Sequence, residues 1–192
     1  MTDRNAQLPP SGPIPRSLAD IEAALNARKL PPVDRWDPPH RGHSGMRIDV
    51  DGIWYHDGGR IERDALWKLF ATVLRREPDG RHVLVTPVEK LDIDVDDAAF
   101  VAVELTSEGE GEGRRLGFRL NSDDHVIAGP EHPLRIAAAP DGSPRPYVLV
   151  RHGLEALIGR AVFYELAELA IEEGAEPLRL WSNGAFFLLD SA

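Results

Sequence analysis

The chain has no cysteine among its 192 residues. This excludes disulfides, thiolate-bound metals and cysteine nucleophiles, and it fits a reducing compartment, so the expected location is the cytoplasm. Lysine is nearly absent: Lys29, Lys68 and Lys90 are the only three, so 19 of the 22 basic residues are arginines. No apolar run approaches the ~20 residues that a bilayer span requires. No apolar stretch follows Met1-Thr2-Asp3-Arg4-Asn5 either, so neither a membrane span nor a secretory leader is expected. Positive charge is also in deficit, 22 Lys and Arg against 32 Asp and Glu, for a net charge of -10. Affinity for a long nucleic acid comes largely from phosphate neutralisation, so DNA and RNA are poor partners for this chain. A few clustered arginines still suit a small anion, because the guanidinium fork matches carboxylate and phosphate.

What is present is an ordinary globular composition, 42% hydrophobic and 28% charged. Residues 1–15 carry Pro9, Pro10, Pro13 and Pro15 among polar residues and read as a flexible tail. Ser17 with Asp20 three residues later forms a capping-box variant ahead of Leu18, Ile21 and Leu25, so a short helix is expected, ended by Pro31-Pro32. Residues 31–45, rich in Pro, Gly and His, read as an ordered loop or linker. Ile48 and Val50 alternate with charged residues, Asp51-Gly52 supplies a turn, and Ile53-Trp54-Tyr55-His56 returns as a strand. Asp64 is placed as the cap of a helix with Leu66, Leu69, Phe70, Val73 and Leu74 on one face, ended by Pro78-Asp79-Gly80. A strand follows at His82-Val83-Leu84-Val85.

The C-terminal end shows a similar order. Tyr147–Val150 and Leu154–Ile158 are strands about a His152-Gly153 turn, and a helix carries Val162, Phe163, Leu166 and Leu169 on one face. Leu178–Trp181 and Phe186–Leu189 are then strands about Ser182-Asn183-Gly184. Gly52 aligns with Gly153, Arg63 with Arg160 and Val83 with Leu178, at offsets of 101, 97 and 95 residues, which points to a duplication. Four further strands are expected in between, at 91–95, 100–105, 115–120 and 134–136, with a flexible Glu/Gly tip at 108–113. The expected fold class is therefore α+β, two diverged copies of a mainly antiparallel sheet-plus-helix module. The expected division is a tail at 1–15, an N-terminal module with its leading helix at 16–90, and a C-terminal module at 91–192.

Several chemical motifs fail on inspection. The Gly109-Gly111-Gly113 run lacks a following helix, and its interleaved glutamates would repel phosphate. Asp92, Asp94 and Asp96 have calcium-loop spacing, yet Ile93 and Val95 between them mark a strand with one solvated face. His40, His43 and His56 have no spacing rule that assembles a metal site, and Gly42-His43-Ser44-Gly45 is not a nucleophile elbow. Trp54 and Trp181, beside turns, could line a cleft or cover a core edge. Arg63, Arg151 and Arg160 adjoin turns and helix starts, where backbone N–H groups add to side-chain charge; they suit either anion binding or ion pairs between modules.

Taken together, several stretches resemble the bacterial family known as domain of unknown function 1285. They are Ile48 to Arg63 with Asp51-Gly52, Trp54, His56, Gly58 and Ile61; Val85-Thr86-Pro87-Val88-Glu89-Lys90 with Asp97 and Phe100; and Asn121 with His132-Pro133-Leu134-Arg135. The rest are Arg151 with Gly153-Leu154-Glu155-Ala156 and Arg160, and Trp181-Ser182-Asn183-Gly184 with Phe186-Phe187. The likeness covers roughly residues 16 to 190 and departs in the Glu/Gly insertion at 108–113. It implies a duplicated core, a C-terminal half similar to a pleckstrin-homology-like barrel, and a part in signalling. It also implies a site between the halves for a nucleotide-like ligand, adding interest to His56, Glu89, Lys90, Asn121, His132, Arg135 and Arg151.

The expected function is thus a ligand-binding protein holding a small anionic or nucleotide-like ligand, or a protein partner, at the junction of two modules. Its expected ligand-binding residues are His56, Arg63, Glu89, Lys90, Asn121, His132, Arg135, Arg151 and Arg160, with no cofactor and no metal. The competing expectation is a hydrolytic enzyme using Glu89 and His132 as general acid/base, which requires those side chains to converge.

Overall fold

The computed structural model describes residues 17–27, 29–174 and 176–189. The short leading helix α1 runs Leu18–Ala27, and its capping box forms as the sequence predicts. The Asp20 N–H donates to Ser17 Oγ at 3.2 Å, and the Ser17 N–H donates to the Asp20 carboxylate at 3.2 Å. The expected tail at 1–15 lies outside the described residues.

Six strands build the N-terminal sheet: β1 His40–Ile48, β2 Trp54–His56, β3 Gly59–Arg60, β4 Leu74–Arg76, β5 His82–Val85 and β6 Glu89–Val95. Helix α2, Asp64–Thr72, sits between β3 and β4. Spatial order is β3-β2-β1-β6-β5-β4, and every pairing is antiparallel except β1 with β6. Six more build the C-terminal sheet: β7 Phe100–Glu108, β8 Arg115–Leu120, β9 His125–Ile127, β10 Leu134–Ala138, β11 Pro144–Arg151 and β12 Leu154–Ile158. Its order is β10-β11-β12-β7-β8-β9, and again only the pairing of first strand with last, β7 with β12, is parallel. Helix α3, Arg160–Glu172, and a two-stranded ribbon of β13 Arg179–Ser182 and β14 Ala185–Leu188 complete the chain.

The protein is therefore α+β and duplicated, and each copy is two three-stranded meanders closed by a parallel first-to-last pairing. A curled six-stranded sheet followed by α3 gives the C-terminal half its pleckstrin-homology-like half-barrel. The repeat is nonetheless registered differently from the sequence offsets. Strands β1–β6 match β7–β12, so the β11-β12-α3 stretch does not repeat β1-β2-α2. Arg63 and Arg160 consequently begin helices in non-equivalent places, one within its sheet's strand order and one after it.

Four local expectations change. Residues 40–44 are strand rather than loop, because β1 finds a parallel partner in β6 from His40 opposite Glu89 onward. Asp64 is the first helical residue and not the cap; its carboxylate accepts from Trp67 Nε1 at 3.2 Å. The chain leaves α2 after Thr72, so Leu74 starts β4. The Glu/Gly tip contains a single 3-10 turn, Gly111–Gly113, held by Glu173, which accepts from Gly111 N–H at 3.0 Å and from the Arg114 guanidinium at 2.8 Å.

One continuous core spans both copies, from Ile48, Trp54, Leu74 and Leu84 to Phe100, Phe118, Leu154 and Leu166. The faces of both sheets and the inner stripe of α3 are buried there together. No helix among the described residues is long and apolar enough to cross a membrane.

Candidate functional site

The junction between the two sheets is where the sequence places a ligand, and there the expected residues meet one another's partners. Arg151 leaves the end of β11 nearly buried. It donates to the Ala71 carbonyl at 2.9 Å and to Asp124 Oδ2 at 3.2 Å, and its guanidinium lies 5.0 Å from the Phe100 ring centroid. Burial pulls its pKa down to about 10. Asn121, in the turn after β8, uses both ends of its carboxamide: Oδ1 accepts from Val101 N–H at 3.1 Å and Nδ2 donates to the Gly52 carbonyl at 3.4 Å. Gly52 has φ +76°, and a Cβ there would stand 2.7 Å from Asn121 Nδ2 and 2.9 Å from Val101 Cγ2. Lys68 pairs with Asp123 at 2.5 Å and His152 with Asp34 at 2.7 Å, further clasps across the same seam. His82 sits near Arg76 and Glu155; burial first, and the Arg76 charge second, push its imidazole down to about 4.

The remaining expected residues divide by position. Arg135 is held by a bidentate pair to Glu155 at 2.5 and 2.7 Å and stacks 4.2 Å over Tyr147. Lys90 donates to Asp37 at 3.1 Å and Glu77 at 3.3 Å. His56 is exposed at the end of β2 and lies 3.6 Å from Asp57. Arg63 and Arg160 are exposed at the starts of α2 and α3. Glu89 opens β6 opposite His40. Asn121 and Arg151 thus bond across the seam to the N-terminal half, while the other seven are dispersed.

A second recess, about 540 Å³, lies over β1 and β6 and carries Arg41, His43, Arg81 and Lys90. Its charge is already met by Asp37, Asp79, Asp92 and Glu77, which pair with these cations. No group of three or more His, Asp or Glu among the described residues is arranged to hold a metal.

A cavity of about 730 Å³ lies elsewhere, between α1 and the C-terminal sheet. Glu22, Leu25 and Asn26 of α1 form one wall, and Arg115 and Ile127 form the floor. The segment Gly129-Pro130-Glu131-His132 and Asn183 of the β13–β14 turn close the other side. Of the expected residues only His132 lines it. Its Nδ1 donates to the Leu149 carbonyl at 3.1 Å. Glu89 is not part of this cavity, so the acid/base pair of the hydrolytic reading is not assembled.

The far side is fixed from the core. Ser182 is fully buried; its hydroxyl donates to the Ala128 carbonyl at 2.7 Å and accepts from the Leu116 N–H at 2.9 Å. Asn183-Gly184, with φ +48° and +77°, makes the tight turn that brings the Asn183 side chain against Gly129, where a Cβ would lie 3.0 Å from Asn183 Nδ2. Asn183, Arg115 and Glu22 escape a reading of motifs one at a time. The signal is Ser182-Asn183-Gly184, which the sequence presents as a turn and the fold sets against Gly129 in the same cavity as His132.

Comparisons with known proteins agree with this architecture. Residues 31–98 match the family described as "Domain of unknown function (DUF1285), N-terminal domain", and residues 99–189 match "Protein of unknown function (DUF1285), C-terminal domain". A crystal structure of a DUF1285 family protein from Silicibacter pomeroyi DSS-3 is 42% identical, with TM-score 0.76 over 90% of this chain and 95% of that one. One from Shewanella baltica OS155, 22% identical with TM-score 0.51 over 66% of this chain and 92% of its own, shares the fold. No curated protein matches. With both halves matched in order and a 42% identical relative spanning nine-tenths of its length, the chain belongs to the DUF1285 family.

Proposed function

We propose that the protein is a non-catalytic binding protein that holds a small, neutral, hydrogen-bonding ligand in the cavity between α1 and the C-terminal sheet. One observation carries the reading. Among the described residues no hydrogen bond engages His132 Nε2 or the carboxamides of Asn26 and Asn183, which line the cavity, whereas the polar residues at the module seam are engaged in hydrogen bonds. Small-molecule pockets combine apolar surface with a few convergent polar groups, and Leu25, Ile127 and Pro130 supply apolar surface here.

Charge refines the ligand class. Among the described residues, Glu22 and Glu131 line the cavity with one guanidinium, that of Arg115, which is already paired with Glu22. A phosphate would meet net negative charge, so a nucleoside-like heterocycle fits better than the corresponding nucleotide. The signalling role implied by the family resemblance is a proposal that depends on this binding.

Thermal-shift titration with adenosine and guanosine, beside AMP, GMP and acidic metabolites, tests the reading. At a ligand concentration 100 times Kd, stabilisation of about 2.7 kcal/mol is expected, which for a chain of this size raises Tm by roughly 5–10 °C. The shift should vanish in His132→Ala and Asn183→Ala. Stabilisation by nucleotides alone, or by no compound tested, refutes the reading.

A further inference from the structure

We propose that α1 is a displaceable strap that opens and closes this cavity; the proposal rests on the cavity being the functional site. The helix precedes the N-terminal sheet in the chain yet docks on the C-terminal one. Only Leu18 and Ile21 of its ten residues are buried, and they pack with Ile127 in a cluster separate from the main core. The other eight are exposed.

Its attachments are of the kind that break easily. Among the described residues no backbone hydrogen bond joins α1 to the sheet. The Leu18 N–H donates to the Glu108 carboxylate at 2.8 Å, and Arg115 pairs with Glu22, both at or near the surface. Such contacts are weak in water. A ten-residue helix is not stable by itself, so docking and folding of α1 are one event, and undocking melts it without disturbing the core.

The seat is nonetheless shaped for this helix. Gly117 of β8 leaves bare backbone beneath α1: a Cβ there would lie 2.6 Å from Leu18 Cδ2 and 3.0 Å from Ile21 Cδ1. Docked, α1 contributes Glu22, Leu25 and Asn26 as one wall of the cavity. Released, it turns the cavity into an open shelf with Ile127 and the edge strand β9 uncovered. A ligand touching both walls therefore favours the docked state and is in turn retained by it.

The absence of native cysteine makes thiol labelling of the full chain a clean test. Ile21→Cys places a thiol under α1, and Val148→Cys places one in the main core, at positions 2% and 0% exposed. Under native conditions Ile21→Cys should be modified at least about a hundredfold faster than Val148→Cys, through sub-global opening. Adding Gly117→Val should speed the first rate and leave the second unchanged. Because Ile21→Cys itself loosens the seat, amide exchange on the unaltered chain supplies a second reading. The α1 amides should open far more often than those of Leu116 and Phe118. Equal labelling rates for the two thiols, or α1 amides exchanging only with global unfolding, overturn the strap. Fast Ile21→Cys labelling that neither adenosine nor guanosine slows leaves the strap standing and counts against the ligand reading alone.

Discussion

Replacing Arg151 by Met keeps the aliphatic stem over Phe100 and removes the guanidinium that pairs with Asp124 in its own sheet and reaches across the seam to the Ala71 carbonyl. In the native chain this guanidinium is 13% exposed and its partner Asp124 only 7%, so the pair lies near the buried limit. The change removes the donor that the Ala71 carbonyl accepted from at 2.9 Å, and with it the Arg151 bond to Asp124 Oδ2 at 3.2 Å. Ser122, which donates to Asp124 at 3.0 Å, offsets part of that cost. Breaking one side of a buried pair costs about 3–5 kcal/mol, against ~0–1 kcal/mol for an exposed pair. In urea unfolding followed by far-UV circular dichroism, the midpoint of Arg151→Met should fall by about 1–2 M. Adding Asp124→Leu should recover part of the loss, because removing both partners is milder than removing one. A single mutant within about 1 kcal/mol of the native chain would show that Arg151 contributes no more than an exposed ion pair.

Other outcomes follow from the same structure. Gly52→Ala and Gly58→Ala both force a side chain into positive φ, but only Gly52 also faces atoms within 3 Å, Asn121 Nδ2 and Val101 Cγ2. Thermal unfolding should show Gly52→Ala as the costlier by at least about 1 kcal/mol, on top of the ~1–3 kcal/mol of backbone strain shared by both. Ser182→Ala leaves the Leu116 N–H and the Ala128 carbonyl short of a partner and should cost about 1–3 kcal/mol. That loss would be accompanied by amide chemical-shift changes at Gly129 and His132. The His82 imidazole should titrate by NMR near about 4 and not near 6.5. Because its folded pKa is depressed, the unfolded chain binds the extra proton first. Its contribution to stability is complete above about 6.5 and is lost as pH falls toward 4, and His82→Gln should flatten the stability profile in that window.

The parts of the fold legible in the sequence are those whose signal is local. The Ser17–Asp20 capping box, the apolar stripe of α3 and the Asn183-Gly184 turn each depend on residues within one or two turns of chain. Strands β3, β4 and β9 are two or three residues long, too short to display alternation. The first half of β1 is polar and exposed, and only its parallel pairing with β6, nearly fifty residues away, makes it a strand. The same non-local closure fixes the repeat, so the duplication could be seen while its register could not. Among candidate site residues, the sequence marks polar groups at turns but not their partners. Arg151 meets Ala71 and Asn121 meets Gly52 only in the folded chain, so their part in joining the two halves could not be read from the sequence. His132 emerges as a cavity residue only in the fold, where Asn183, fifty-one positions later, lines the same recess.

The central claim is tested most directly by amide ¹H–¹⁵N spectra of the full chain titrated with adenosine. Saturable shifts confined to Glu22–Asn26, Gly129–His132 and Asn183, and abolished by His132→Ala, are the predicted result. Shifts centred on Arg151, Asn121 and Asp124 at the seam, or none at any concentration, would contradict it.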